Sequence, residues 1–199
     1  LYDLGPACRH LGIEALRRTD AVSTASARAV DLRDASGHTV NVAVWSDAGP
    51  TIVRWDTGAH ALPIVVRVGS TLPLLDSAVG YVFLAHLPRP MTARVLRTQQ
   101  RQNETRRLAV DEIAALATAV HRDGFGSTIN QMIFGLAALA APVFGADGAL
   151  EAALGLVLPS RMFTTAEARR LGPLVRSSAD RASQELGLIT DPGPGAGAV

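Results

Sequence analysis

Apolar residues recur along this chain with two different periods, and these periods divide it into helices and strands. A recurrence every three to four residues is typical of an amphipathic helix with one face in the core. This spacing and its capping residues predict helices over residues 5–18, 21–35, 77–87, 90–105, 110–123 and from a Thr164 or Thr165 cap to 186. The last helix should turn inward the apolar residues Leu171, Leu174, Val175, Ala179 and Ala182.

Other stretches alternate, which is typical of strands because successive side chains point to opposite faces. In residues 38–46, for example, Val40, Val42 and Val44 share one face, whereas Asn41 and Trp45 lie on the other. Further strands are predicted at residues 51–57, 62–68, 125–131, 134–144 and 149–158. Long helices grouped between runs of strands favour an α+β fold with one antiparallel sheet of about six strands.

The two apolar runs on either side of Asp147-Gly148 predict a buried hairpin. Neither run reaches the roughly 20 apolar residues that cross a bilayer, so no membrane contact is expected. Small side chains leave room beside this hairpin: Gly135, Ala137, Ala138, Ala140, Ala141, Gly155 and Val157. From the residues alone, that room is either filled by neighbouring side chains or left for a ligand.

Composition narrows the function classes only slightly. A net charge of +1 over 199 residues gives no general attraction to nucleic acid. The single cysteine, Cys8, and the lack of a signal peptide favour the cytoplasm. No His or Cys cluster has metal-ligand spacing, so neither a metal nor another cofactor is expected. Asp76-Ser77 lacks the sequence around an activated nucleophile, and Ser77 is predicted instead to cap the helix at 77–87.

Three motifs, in order, are similar to the signature of the IclR family of bacterial transcriptional regulators. The opening Tyr2-Asp3-Leu4-Gly5 resembles the family's passage from DNA-binding wing to linker helix. Residues 68–80 read VGSTLPLLDSAVG and lead into Phe83-Leu84-Ala85, as the family's Leu-Pro turn leads into a helix. Residues 123–126 read DGFG and are followed by GLAALAAPVF at 135–144.

The resemblance implies a GAF-like effector-binding domain that also mediates assembly into a homodimer or homotetramer. Residues 1–18 would be the linker helix from a winged helix-turn-helix domain absent from this chain, through which operator DNA would be bound. Residues 19–187 would form the effector-binding domain, and 188–199 a disordered tail. The chain would then not be an enzyme; the alternative is a stand-alone GAF-like small-molecule binder or enzyme.

The resemblance also implies where a small-molecule effector would lie. It places a pocket at Ala61, Ile64, Ala78, Val79, Thr128, Ala138, Gly155 and Val157. Relatives carry acidic, polar or serine side chains at several of these positions, so this pocket should be nearly all apolar. An apolar or aromatic effector is therefore expected, since burying a carboxylate without donors is costly. The backbone N–H groups of Ala78, Val79 and Gly80 are predicted to hold one carboxylate or carbonyl oxygen.

One charged segment leaves two interpretations open. Six arginines gather around a single Glu104, namely Arg89, Arg94, Arg97, Arg101, Arg106 and Arg107. They could bind DNA or an acidic partner. Because no aromatic residues interleave with them, a solvated helix face is favoured.

Overall fold

One antiparallel sheet forms the centre of the protein, and helices cover both of its faces. This computed structural model describes residues 6–60, 62, 66–102 and 105–188, with only the backbone for 6–20. The strands of the described chain are β1 (Thr39–Ser46), β2 (Gly49–Asp56), β3 (Gly126–Ile129), β4 (Leu136–Phe144) and β5 (Leu150–Pro159). They lie side by side in the order β2-β1-β5-β4-β3. The predicted α+β class is confirmed, with five strands rather than about six.

The helices divide between the two faces of the sheet. Their bounds are α1 (Pro6–Ser36), α2 (Ala78–His86), α3 (Arg89–Arg101), α4 (Val110–Asp123) and α5 (Thr165–Glu185). A single 3-10 turn at Ser160–Met162 joins β5 to α5. Buried residues of α1 and α5 share one apolar core, and those of α2, α3 and α4 share a second core on the opposite face.

Side chains of the central strands pack alternately into the two cores. On β5, Leu154 and Leu156 pack with α1 and α5, whereas Ala153, next to Leu154, packs with α2. Consecutive strand residues point to opposite faces, so one strand can serve two layers. Side chains on the α1 side are larger here than those on the α2 side. The small side chains therefore leave space mainly between the sheet and α2.

Turn and capping residues in the sequence predicted several element boundaries correctly. The hairpin turn falls at the predicted pair, where Gly148 has φ +75° and its N–H donates to Gly145 O at 2.9 Å. Thr164 caps α5, accepting from the Glu167 N–H at 3.2 Å. The bounds of α4 match the prediction, and Gly124 ends it in the left-handed conformation. These features rest on short-range backbone geometry, which is readable from sequence.

Other predicted bounds were wrong. The described residues of the predicted helices 5–18 and 21–35 belong to one helix, α1, because no Gly or Pro lies between the two predicted ranges. Residues 62 and 66–68 are not a strand, and 61 and 63–65 lie outside the described residues. Instead, residues 69–72 follow the edge of β2: Ile52 N–H donates to Ser70 O, and Leu72 N–H to Pro50 O. Helix α3 ends at Arg101, short of the predicted 105.

Candidate effector-binding site

A cavity lies between the sheet and the start of α2, where the small side chains of the hairpin leave space. It measures about 570 Å³, including the part open to solvent. The sheet side includes Ile52, Trp55, Ala138 and Val157, and the loop after β3 contributes residues 131–133. Ala78 and Val79 of α2 line it as well.

An irregularity in β2 places two of its large side chains in this cavity. The pairing of β1 with β2 shifts between Val42 and Ala43, so that Ala43 pairs with Ile52 and Val42 with Arg54. Val53 is the extra residue, and a bulge of this kind re-aims the side chains after it. Ile52 and Trp55 therefore both face the cavity although they are three residues apart.

The charged side chain in the described lining, Asp76, is neutralised by its neighbours. Its carboxylate accepts from Thr105 Oγ1 at 2.9 Å and from the Arg106 N–H at 2.8 Å, and Arg106 Nε lies 3.3 Å from it. Arg106 also donates to Leu75 O at 2.8 Å and to Tyr81 Oη at 2.7 Å. Burial raises the pKa of the Tyr81 hydroxyl, which stays protonated and donates to Leu75 O. The network presents an ion pair, not a free charge, to the cavity.

The start of α2 is held by Ser77, as predicted for a helix cap. Its Oγ accepts from the Gly80 N–H at 2.9 Å and donates to Pro73 O at 2.7 Å. The N–H of Gly80 is thus already used, and the prediction that it holds an effector oxygen was wrong. Among the described residues, no acceptor pairs with the N–H groups of Ala78 and Val79. Two of the three predicted donors remain available at this wall.

Glycine at position 80 instead serves close packing. A Cβ there would lie 2.5 Å from Leu74 O and 2.6 Å from Pro73 O. These are backbone atoms that cannot rotate away. Gly80 therefore lets α2 pack directly on the turn before it, and it is not among the residues that line the cavity.

Gly155 also departs from its predicted place in the lining. It pairs with Asn41 on the neighbouring strand β1, and a Cβ at 155 would lie 2.5 Å from Asn41 Oδ1. The Asn41 side chain occupies this space and lines the cavity in place of residue 155. Asn41 is only 3% exposed, and its Oδ1 has no hydrogen-bond partner among the described residues.

The structure thus brings together five of the predicted positions: Ala78, Val79, Thr128, Ala138 and Val157. Ala61 and Ile64 lie outside the described residues. Sequence reasoning missed Asn41, Trp55 and Asp76. The signal for Asn41 was its position on the polar face of an alternating strand. That face was recognised, but its proximity to Gly155 depends on the pairing of distant strands.

The arginine-rich segment lies mostly on the surface, which is compatible with both interpretations of it. Arg94, Arg97, Arg101 and Arg107 are exposed, whereas Arg106 turns inward to Asp76. No group of three His, Cys, Asp or Glu in the described part could hold a metal. Within the same residues, no helix has the length and apolar character needed to cross a membrane.

A helix-covered antiparallel sheet with a cavity on one face is a GAF-like architecture, and comparisons with known proteins give its class. The family described as "Bacterial transcriptional regulator IclR C-terminal" matches residues 13–184. The crystal structure of HmgR from Pseudomonas aeruginosa is similar at a TM-score of 0.78 and 30% identity, covering 97% of this chain and 76% of that one.

Two further comparisons involve KdgR of Escherichia coli. The "HTH-type transcriptional regulator KdgR" of strain K12 is 23% identical over 188 residues, which are 94% of this chain and 72% of KdgR. The crystal structure of the KdgR C-terminal domain has the same fold, with a TM-score of 0.71 at 19% identity over 84% of this chain and 99% of that one. The chain belongs to the IclR family of transcriptional regulators, as a C-terminal domain. Its relatives are regulators, not enzymes.

Proposed function

We propose that the cavity beside α2 binds a small, largely apolar or aromatic effector, and that this binding regulates transcription. The observation that carries the proposal is the cavity wall. Aliphatic and aromatic side chains from three strands and α2 line it, and its described charged group is paired with Arg106. Burial of apolar surface would contribute roughly 25 cal/mol per Å² to binding.

One charged end of such an effector fits this wall, but two do not. The N–H groups of Ala78 and Val79 lie at the start of α2, where the helix dipole favours a carboxylate or carbonyl oxygen. A second carboxylate would find no unpaired cation in the described wall, since Arg106 is already paired with Asp76, and it would lose several kcal/mol of hydration. We therefore expect a monocarboxylate or a neutral molecule, and weak binding of small dicarboxylates.

A thermal-shift screen of this 199-residue chain tests the proposal. A ligand that binds only the native state raises the melting temperature. Aromatic and aliphatic monocarboxylates should do so, and glyoxylate or small dicarboxylates should not. Ala138→Leu places a larger side chain in the cavity and should abolish the shift. Ala115→Leu, on the exposed surface of α4, is the matched control and should keep it. A dicarboxylate as the sole strong binder would contradict the proposed effector class.

The regulatory step would be a population shift between arrangements of the regulator, because only differential affinity moves such an equilibrium. Helix α1 is the proposed link to the DNA-binding domain. Its residues Ala25, Ala29 and Leu32 pack on the sheet face opposite the cavity. Effector binding would therefore act on α1 through the sheet, and α1 would act on the domain that binds operator DNA.

Assembly into a homodimer or homotetramer is part of the same proposal. Among the described residues, six large apolar side chains are exposed, and the three most exposed are Phe134 at 87%, Val110 at 71% and Val68 at 63%. A subunit contact that gathers such side chains into one apolar patch would bury them. Sedimentation analysis of the chain should show an oligomer, and Phe134→Ser should weaken it if this side chain lies in the contact. A monomer at high concentration would contradict the assembly proposal.

A further inference from the structure

Asn41 is a buried polar side chain on the cavity side of the central sheet, without a described partner. It lies within β1, between Trp55 of β2 and Gly155 of β5. Its side chain is 3% exposed and lines the cavity. No described group donates to its Oδ1. Since the amide orientation is fixed by no bond, the side chain can present either a donor or an acceptor to the cavity.

Three other buried polar side chains near this cavity are satisfied. The amide of Gln99 accepts from the Leu74 N–H at 2.9 Å and donates to Leu72 O at 3.1 Å. The hydroxyls of Ser77 and Thr105 are likewise bonded. A buried amide without a partner lowers stability, and an apolar residue would serve the fold better. The position of Asn41 is therefore explained by a group that enters the cavity.

The strand beside Asn41 is adapted to its amide. Gly155 leaves the space that the amide occupies, because a Cβ at 155 would lie 2.5 Å from Oδ1 and 2.8 Å from Nδ2. Glycine within a strand weakens it. Two residues that are each unfavourable for the sheet are thus paired at one point of the cavity wall.

We infer that Asn41 determines specificity at this site by hydrogen-bonding a hydroxyl or carboxamide group on an otherwise apolar effector. This inference rests on the proposed function of the cavity. A neutral group that both donates and accepts can bond the amide in either orientation, whereas a carboxylate can only accept from Nδ2 and would leave Oδ1 unpaired. Asn41 lies on the sheet and the free N–H groups of Ala78 and Val79 lie on α2. A ligand with an acid at one end and a hydroxyl at the other would use both walls.

The site should then bind a ligand that carries a hydroxyl more tightly than the analogue that lacks it. A site built to bond a hydroxyl rejects the analogue that lacks it, because the buried partner stays unpaired. One such bond corresponds to about tenfold in Kd, which is about 1.4 kcal/mol. The probes are two matched pairs: benzoate with 3-hydroxybenzoate, and cyclohexanecarboxylate with 4-hydroxycyclohexanecarboxylate.

The test is calorimetric titration of the wild-type chain, Asn41→Leu and Asn41→Ala with these probes. Leucine has the shape of asparagine without its polar atoms, and alanine covers the case in which leucine does not fit. In at least one pair, the hydroxylated probe should bind the wild type about tenfold tighter. The difference should fall below about threefold in both variants. Ser46→Ala, on the same strand but outside the cavity, should keep the full difference.

A second readout separates a binding role from a structural one. Asn41→Leu should unfold at an equal or higher urea concentration than the wild type, since it removes an unpaired buried amide. Equal affinity of the wild type for both members of each pair, or discrimination that survives in the variants, would overturn the inference and leave the proposed function intact. Absence of binding by all four probes would overturn both.

Discussion

A methyl group added at position 155 should destabilise the protein only while Asn41 is present. The ideal Cβ position on Gly155 lies 2.5 Å from Asn41 Oδ1, 2.8 Å from Nδ2 and 2.9 Å from Cγ. All three nearest atoms belong to this one side chain. In Gly155→Ala, either the amide must move into the cavity or β1 and β5 must separate.

The magnitude follows from two opposing effects. Extra atoms in a well-packed interior typically cost about 1–3 kcal/mol. Alanine in a strand is favoured over glycine by roughly 0.5–1 kcal/mol, because less chain entropy is lost on folding. We expect Gly155→Ala to destabilise the wild type by about 1–2 kcal/mol. In the Asn41→Ala background the clashing atoms are absent, and the same change should stabilise by about 0.5 kcal/mol. The coupling is then about 2 kcal/mol.

Urea unfolding of the wild type, both single variants and the double variant measures this coupling. An unchanged slope shows that a shifted midpoint reports stability. Gly155→Ala combined with Ser46→Ala is the control, and its effects should add within about 0.5 kcal/mol. If Gly155→Ala shifts the midpoint equally with and without Asn41, the amide does not occupy that space, and the explanation of both residues is refuted.

Three further changes test the surroundings of the cavity. Ser77→Ala and the cap variant Thr164→Ala should each lower the free energy of unfolding by about 1 kcal/mol, measured by urea unfolding. Only Ser77→Ala should also weaken ligand binding in a titration, because it removes the cap that holds the start of α2. Arg106→Gln should lower the free energy of unfolding by about 1–2 kcal/mol, because it leaves the Asp76 carboxylate unpaired beside the cavity. The same unpaired charge should weaken the binding of monocarboxylates. Arg107→Gln, the control, should change neither quantity. Burial lowers the pKa of His86 from 6.5 to about 4, so between these values the unfolded chain binds the extra proton and stability falls as pH falls. His86→Phe should reduce by about 2 kcal/mol the free energy of unfolding that is lost between pH 7 and pH 4.5. If urea unfolding gives the variant the same pH dependence as the wild type, this prediction is contradicted.

Sequence patterns predicted the elements whose geometry is local. The Asp147-Gly148 turn needs a positive φ at one residue, and the sequence supplies glycine there. Helix α4 ends at Gly124 for the same reason. The division of α1 into two helices failed because a polar residue such as Asp20 can cap a helix but does not interrupt one. A helix interior tolerates it when no Gly or Pro follows.

The site was harder to predict because it depends on pairing between distant strands. The apolar positions Ala138 and Val157 were placed from the family resemblance, and they do line the cavity. Asn41 lies at the site because the register of β1 with β5 pairs it with Gly155. Alternation within β1 shows which face Asn41 occupies, but only the long-range register shows what lies opposite. The predicted pocket was therefore too apolar.

The position of the cavity relative to the two cores limits how an effector can act. Along β5, Val157, which lines the cavity, lies between Leu156 and Leu158, which pack under α1 and α5. A ligand that moves Ala138 or Val157 must displace these neighbours, because close-packed interiors transmit small shifts. A polar contact at Asn41 would act on the central strand pair that supports α1. Recognition of the effector hydroxyl and transmission to the linker helix would then depend on the same two strands.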